Sequence, residues 1–600
     1  MFHLLATVGV LFSLAMPELS LPATLDLGPI RALPAQHDGR WPPLDTVARD
    51  TVEEVTGEAF YQRHDPVLLL LAWTFDPAAW EQQPLITIKN AELRRELELS
   101  PTQTVYSYAE LVRHQRLLTL IDEFAEREED HKPDPLESKV SDIHEKLVVL
   151  QRVLGGQTVR LIPDGEKADG AWRVIPATAR DASADLEPVR SAWAALQDAF
   201  RADDAAAFAS ATERLSAALT ALPAAYRPDP KLVATELRYN RLRPFRTAWM
   251  VMVVGAVLAA LAVAVRRKWF DVLAVVGMLA GWVLLSYGLS LRWQIAGRIP
   301  AANMFESLLF LSWGMGAFAI LSMLVMRQHS APLLASVMGA LALFLADVLP
   351  LDHYVRPIVP VLMDTVWMSI HVPVIMVSYS VLAIAMLVAH AQLAVMAVVP
   401  NRRAWIAAID GFHYWCIHVG SILLLAGIVT GSMWAASSWG RYWGWDPKEV
   451  WSLIAFLGYL TILHVRVGRE RVGWWGYLIG ALLILGLFVI VVLKLAPLTP
   501  TKALAFAGTA AALVLFVTAR SRLATALKSV LCFWLIIMTY VGVNYVLGIG
   551  LHSYGFGTGA VARYMFLTGA IDLGVVLLLC ALYLIRRPTD SALPAAMAVA

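Results

Sequence analysis

A mostly α-helical, polytopic membrane bundle of about eleven spans, preceded by a soluble and mainly helical extracytoplasmic domain, is the fold class this sequence predicts. Three observations carry it. Of 600 residues 58% are hydrophobic and 16% charged, with a mean hydropathy of +0.59, which is too apolar for an ordinary soluble chain. Charge is split: only eleven of the 48 acidic residues but 23 of the 49 basic ones lie beyond residue 245, leaving −11 before that point and +12 after it. From residue 246 onward, apolar runs of about 18–25 residues recur, the length that crosses a ~30 Å hydrocarbon core at 1.5 Å per residue.

The chain opens with "MFHLLATVGVLFSLAMP", whose short apolar run fits a signal-peptide core or an uncleaved anchor (residues 1–19) and points to export of the adjoining domain. Residues 20–245 read as that extracytoplasmic domain. Turn-rich stretches such as "RWPPLD" and "HKPDPLE" punctuate it, and the Ala-rich pattern from "LEPVRSAWAALQDAF" to "ATERLSAALTALP" is helical. Its histidines, His37, His64, His114, His131 and His144, are scattered and form no catalytic constellation. Excess acid there suits solubility, or attraction of a basic partner.

The spans are expected at 246–265, 270–290, 304–326, 331–350, 370–398, 412–434, 451–468, 474–494, 502–519, 529–549 and 562–585, with a tail at 587–600. Basic clusters occupy every second gap, at 266–268, Arg327, 402–403, Arg466 to Arg471, Arg520 to Lys528 and 586–587. The positive-inside rule puts those gaps and the C-terminus in the cytoplasm. The gaps at 291–303, 351–369, 435–450, 495–501 and 550–561 then face outward with the N-terminal domain. Cys416, Cys532 and Cys580 sit inside apolar runs without metal-site spacing and read as small core residues.

One outward gap is unusual. "SWGRYWGWDPKEVW" (438–451) interleaves rings with Arg441, Asp446, Lys448 and Glu449. Trp434, Trp439, Trp443, Trp445 and Trp451 alone would suit an interfacial belt. The polar insert suits instead a flat apolar ligand with charged substituents: indole faces can cover a porphyrin, and Arg441 or Lys448 can pair with its propionates. Iron in such a ring takes axial imidazole. His371 and His552 lie at the outward ends of spans on either side of this loop, although a lone interfacial histidine is more often bonded to backbone. His464 lies thirteen residues into its span, ~20 Å from the outward end, a depth at which ionisable residues usually line a pathway, bind something or are satisfied by a neighbouring helix. Asp446 and Glu449 have no nucleophile or metal set beside them and read as structural partners within the loop.

The segment "GIVTGSMWAASSWGRYWGWDPKEVWSLIAFLGYLTILHVR" resembles the WWD signature of the CcsA (ResC) family, the haem-handling membrane subunit of system II cytochrome c biogenesis. "GRIPAANMFESLLFLSWG", "PIVPVLMDTVWMSIHVPVIMVSYS" and "VGVNYVLGIGLHSYGFG" match in order, so the resemblance covers roughly 270–560. It implies that His371 and His552 are outward axial ligands of haem iron, that residues 434–451 (Trp434, Trp439, Arg441, Trp443, Trp445, Asp446, Lys448, Trp451) cradle the ring, and that His464 receives haem within the membrane. It further implies haem b as transported substrate, a CcsB/ResB-type subunit, apocytochrome c and thiol-reducing proteins as partners, and residence in a bacterial inner membrane. The activity implied is haem export and presentation to the CxxCH thiols of apocytochrome c, within a cytochrome c synthase.

The chain departs from the family pattern in three ways. Three spans rather than one fit between His464 and His552. The acidic N-terminal domain is foreign to short members, although "HDGRWPPLDTVARDTVEEVTG" (37–57) resembles the segment before the CcsA part in longer relatives. No counterpart appears for the ResB histidine that pairs with the internal one in fused forms; His418, the deeper of two, and His413 are candidates within this chain, and a partner subunit is another. No phosphate-binding loop is present, so nucleotide binding in this chain does not power export. The alternatives are a membrane haem-binding or electron-transfer protein without ligation activity, and a scaffold that binds no haem.

Overall fold

The computed structural model describes residues 21–127, 135–175, 183–265, 267–327, 330–349, 351–358, 366–467, 521–547 and 559–586. The expected spans at 474–494 and 502–519, the N-terminal segment, the C-terminal tail and His552 lie outside the described residues. The chain divides into two compact units, Met1–Leu242 with Tyr354–Pro357, and Arg243–His353 with Ile358–Ala600.

The first unit is built mainly from helices α1 (Leu44–Thr56), α2 (Pro66–Phe75), α3 (Pro135–Leu154), α4 (Glu187–Arg201), α5 (Ala205–Ala221) and α6 (Pro230–Leu242). Helix α2, "PVLLLLAWTF", is as apolar as a membrane span but only ten residues long. It is used as core: Leu69, Leu70, Leu71 and Trp73 are wholly buried. Asp65 accepts from the Val67 N–H and Pro66 opens the helix, which fixes its start. Two short antiparallel ribbons, Pro84–Thr87 with Val105–Ser107 and Arg160–Ile162 with Arg173–Val174, complete the layer.

The stretch "HDGRWPPLDT" becomes a charged clamp. Asp38 and Gly39 take left-handed φ values of 46° and 73° to turn the chain. Arg40 then donates two bonds to Glu236 of α6, at 3.0 and 2.9 Å, and Thr46 donates a third at 2.9 Å. Buried Asp45 accepts from Arg31, Arg49 and Asn240. Burial alone would raise its carboxyl, but these donors outweigh burial and hold it below its ordinary 3.8.

In the second unit the membrane helices are α7 (Pro244–Val265), α8 (Lys268–Ala296), α9 (Met304–Met326), α10 (Ala331–Val348), α11 (Val366–Val398), α12 (Arg403–Trp439), α13 (Pro447–Val467), α14 (Arg522–Ile537), which continues as a π-helix over Met538–Leu547, and α15 (Gly559–Arg586). Among the described residues eight helices are long and apolar enough to cross a membrane, and the expected span at 451–468 forms α13, which is not among those eight. Large apolar side chains such as Val254, Val272, Leu324 and Ile585 stand exposed, the inverse of a soluble surface.

Several charged and polar groups inside this unit are paired across helices. Arg292 and Arg298 both donate to buried Glu306, which also accepts from the Ala302 N–H. His390 of α11 bonds Asp572 of α15 at 2.8 Å, and Trp534 of α14 donates to the other carboxylate oxygen at 2.7 Å, so one acid joins three helices. Gln392 links His413 and Asp410. All three cysteines are free thiols, with Cys416 and Cys532 buried and Cys580 half-buried.

Candidate functional site

The tryptophan stretch is shorter as a loop than its sequence implies. Helix α12 runs on through Trp434 to Trp439, and α13 begins at Pro447, so only residues 440–446 of the expected 434–451 segment are non-helical. The local cause is chemical. Gly440 takes φ 71° and its N–H donates to Ala436, a left-handed C-cap. At the far end the Asp446 carboxylate accepts from the Lys448 N–H at 3.0 Å while Glu449 reaches back to the Asp446 N–H at 3.1 Å, with Pro447 between, so the helix start is capped from both sides. Glu449 also accepts from the Gly444 N–H at 2.7 Å. Asp446, expected in the ligand cradle, is thus engaged in starting α13. Arg441 lies across Gly444 where any side chain would stand. Exposed Trp445 holds a left-handed φ of 57°, an unusual conformation for a bulky residue.

The rings separate into two groups. His371 lies 6.1 Å from Trp434 with their planes 16° apart, and Trp434 meets Trp439 at 4.9 Å, forming a ladder from α11 onto α12. Trp434 is buried and Trp439 half-buried, whereas Trp445 is 73% exposed and meets Trp443 edge-on at 6.1 Å. Trp451 is half-buried in the first turns of α13. Lys448 is half-buried, its ammonium 5.4 Å from the Tyr540 ring, and Tyr540 bonds Ser307 of α9 at 2.6 Å.

His371 is fixed by a backbone bond. Its Nδ1 lies 2.8 Å from the Gly427 carbonyl. A carbonyl can only accept, so Nδ1 carries the proton, and in the neutral ring Nε2 is the nitrogen with the lone pair. Room for the ring comes from Gly431, where a Cβ would lie 2.8 Å from His371 Cε1. Gly427 and Gly431 form a small-xxx-small pair that lets α11 approach α12 closely.

His464 stands on α13, exposed, far along the helix from the Trp loop, with Nδ1 2.9 Å from the Leu460 carbonyl. His418 is half-buried on α12, and His413 is fully enclosed with Nδ1 bonded to Gln392. The described structure therefore brings together His371, Trp434 and Trp439. Arg441, Trp443 and Trp445 belong to the adjoining loop, and His464 to another level. Sequence reasoning missed Gly427, Gly431 and Tyr540. "GIVTG" carried the signal for the glycines; Tyr540, in an unremarkable apolar run, carried none.

Residues 301–497 match the family model described as cytochrome C assembly protein. The cytochrome c biogenesis protein CcsA of Parasynechococcus marenigrum (strain WH8102) is 31% identical over 312 residues, 46% of this chain and 84% of that protein. Protein NrfI of Wolinella succinogenes is 26% identical over 551 residues, 86% of this chain and 53% of its own length, a match that necessarily reaches well into the first 245 residues. A solved cytochrome c heme lyase CcmF shares 16% identity, covering 63% of this chain and 66% of that one, at a TM-score of 0.31, too slight a likeness to carry an argument. With 84% of a CcsA protein covered at 31% identity, and the assembly-protein match running through the Trp loop and the helices on either side of it, the chain belongs to the CcsA family of cytochrome c biogenesis proteins.

Proposed function

We propose that this chain exports haem b and presents it outside the membrane for attachment to the CxxCH thiols of apocytochrome c, as a synthase subunit working with a CcsB/ResB-type partner and thiol-reducing proteins. The observation that carries the reading is the His371 ring: tautomer set by the Gly427 carbonyl, packed near-parallel to Trp434, and backed by a glycine. A neutral imidazole with its second nitrogen bonded to a carbonyl is the usual arrangement of a metal-ligating histidine.

In this reading His371 and His552 hold the iron from opposite sides, while Trp434 and Trp439 wall one edge of the ring. Arg441 and Lys448 supply the cations for the propionates. Attachment then needs no redox change in the protein: each cysteine S–H adds across a vinyl C=C, forming one S–C and one C–H bond. What the protein supplies is position, with both thiols and both vinyl groups held within reach.

Absorption spectra of the full-length protein, purified in detergent with a CcsB-type partner from haem-replete cells, test this. A six-coordinate low-spin Soret band is expected, turning high-spin or weakening in His371→Ala and in His552→Ala and returning on addition of imidazole. A wild-type complex without a Soret band overturns haem presentation. Unchanged maturation of c-type cytochromes on loss of the gene would favour a haem-binding protein without ligation activity.

A further inference from the structure

Helices α7 to α10 pack together, α7 against α8 and α10, and α9 against α10. Where α7 and α9 end and α8 and α10 begin, a cavity of about 330 Å³ opens between them. It is remote from the Trp loop: Ser307, which bonds Tyr540, stands in the first turn of α9, and Arg327 at the cavity lies ~30 Å along the axis at the other end.

The deeper lining is small and apolar. Ala259 of α7 and Ala274 of α8 each lie six residues from their helix end, ~9 Å in, and both are buried, as is Ala262. Met323 of α9 adds a fourth apolar wall. The outer lining carries one charge of each sign, half-buried Asp271 in the first turn of α8 and exposed Arg327 at the C-cap of α9. Among the described residues the two side chains bond neither each other nor any other group. Each charge has a local rationale, since Asp271 suits the positive end of its helix dipole and Arg327 the positive-inside pattern. Neither rationale accounts for the space they share.

The lining narrows what can fill that space. A buried water needs about two to four polar partners, and the alanine and methionine walls offer none. Left empty, those walls lose dispersion contacts on one side. Methylene groups meet neither objection. At the rim the same ligand must present an anion to Arg327 and a cation to Asp271. At the end of a membrane helix, a molecule with methylenes on the bilayer side and both charges at the surface is a zwitterionic phospholipid. A primary ammonium donates hydrogen bonds to a carboxylate, which a quaternary one cannot do.

We propose that this cavity binds an ethanolamine phospholipid, its phosphate on Arg327, its ammonium on Asp271 and its first methylenes against Ala259, Ala262 and Ala274. The lipid bridges α8 to α9 through one charge on each. The proposal is independent of the haem reading.

The test uses full-length protein, delipidated in detergent and titrated with short-chain phosphatidylethanolamine, phosphatidylcholine and phosphatidylglycerol, with binding read by native mass spectrometry. The ethanolamine lipid is expected to bind about tenfold more tightly than either of the others. Its advantage over phosphatidylglycerol should vanish in Asp271→Asn, and Arg327→Gln should weaken its binding by about the same factor. Ala274→Leu, which fills the cavity with both charges intact, should abolish the preference. Should that variant not fold, the two rim substitutions, which leave the packing unchanged, carry the test. Equal binding of the ethanolamine and choline lipids to the wild type overturns the site, as does a preference that survives Asp271→Asn. Glycerophosphoethanolamine supplies the same headgroup from a soluble source: weak binding supports the lipid, and binding as tight as that of the lipid overturns it.

Discussion

Lys448 occupies the second position of α13, ahead of the apolar span expected from residue 451, and burial draws its ammonium down to about 8, opposed by Asp446. A lysine titrating there loses its charge as pH rises through 8, and with it any pairing to a ligand carboxylate. Haem retention by the wild-type protein is therefore expected to weaken between about pH 8 and 9 and to hold over the same range in Lys448→Arg, whose guanidinium stays charged. Spectrophotometric titration of haem release against pH checks this, and parallel profiles would remove Lys448 from propionate binding. At this scale residue types are readable in the sequence and their dispositions are not. Trp434 and Trp445 look alike on paper, yet one is 5% exposed and the other 73%, because one lies on a helix face packed against α11 and the other at a left-handed turn. The capping role of Asp446, by contrast, is legible in principle: "DPKE" is itself a helix-start pattern.

Among the elements, the contact between α11 and α12 decides the site. Gly431 is where the His371 ring presses on the α12 backbone, so Gly431→Ala must displace either the ring or the helix, an overpacking cost of about 1–3 kcal/mol. The expected outcome is a folded protein with a high-spin or depleted haem spectrum, read beside its thermal stability; an undisturbed low-spin spectrum would show that the ring has slack. Helix existence here comes from the length of the apolar runs, and eight of the eleven expected spans coincide with described membrane-length helices. Helix ends do not come from it. Expected at 412–434, α12 extends over Arg403–Trp439 because the stretches on both sides of the apolar run are helical too, and hydropathy responds to lipid contact rather than to backbone hydrogen bonds.

For the molecule as a whole, the two units differ in the chemistry that holds them and should fail under different conditions. Asp45 locks the first unit through three donors while buried, and removal of a buried charged partner costs about 3–5 kcal/mol. Its folded carboxyl titrates below 3.8. As pH falls past that value the unfolded chain binds a proton that the folded one refuses, and stability drops. Protection of the amides across residues 44–56 in the full-length protein, taken relative to their intrinsic exchange rate at each pH, is expected to fall from pH 5 to pH 3, and to be low already at pH 5 in Asp45→Asn. The split of charge at residue 245 is what predicts a two-solvent organisation, and "HDGRWPPLDT" stands out as a motif. Its role as a clamp on α6 is hidden, because Arg40 and Glu236 are 196 residues apart and nothing local pairs them. The cysteines carry a last consequence. In the proposed reaction every client brings thiols and every supporting protein exchanges electrons with them, yet Cys416 and Cys532 are sealed in the bundle and Cys580 is packed beside the buried Ala389, Val530 and Val576 cluster. In that reaction the chain stands outside the thiol exchange: buried Cys416 and Cys532 offer the client no mixed disulfide and the vinyl groups no competing nucleophile.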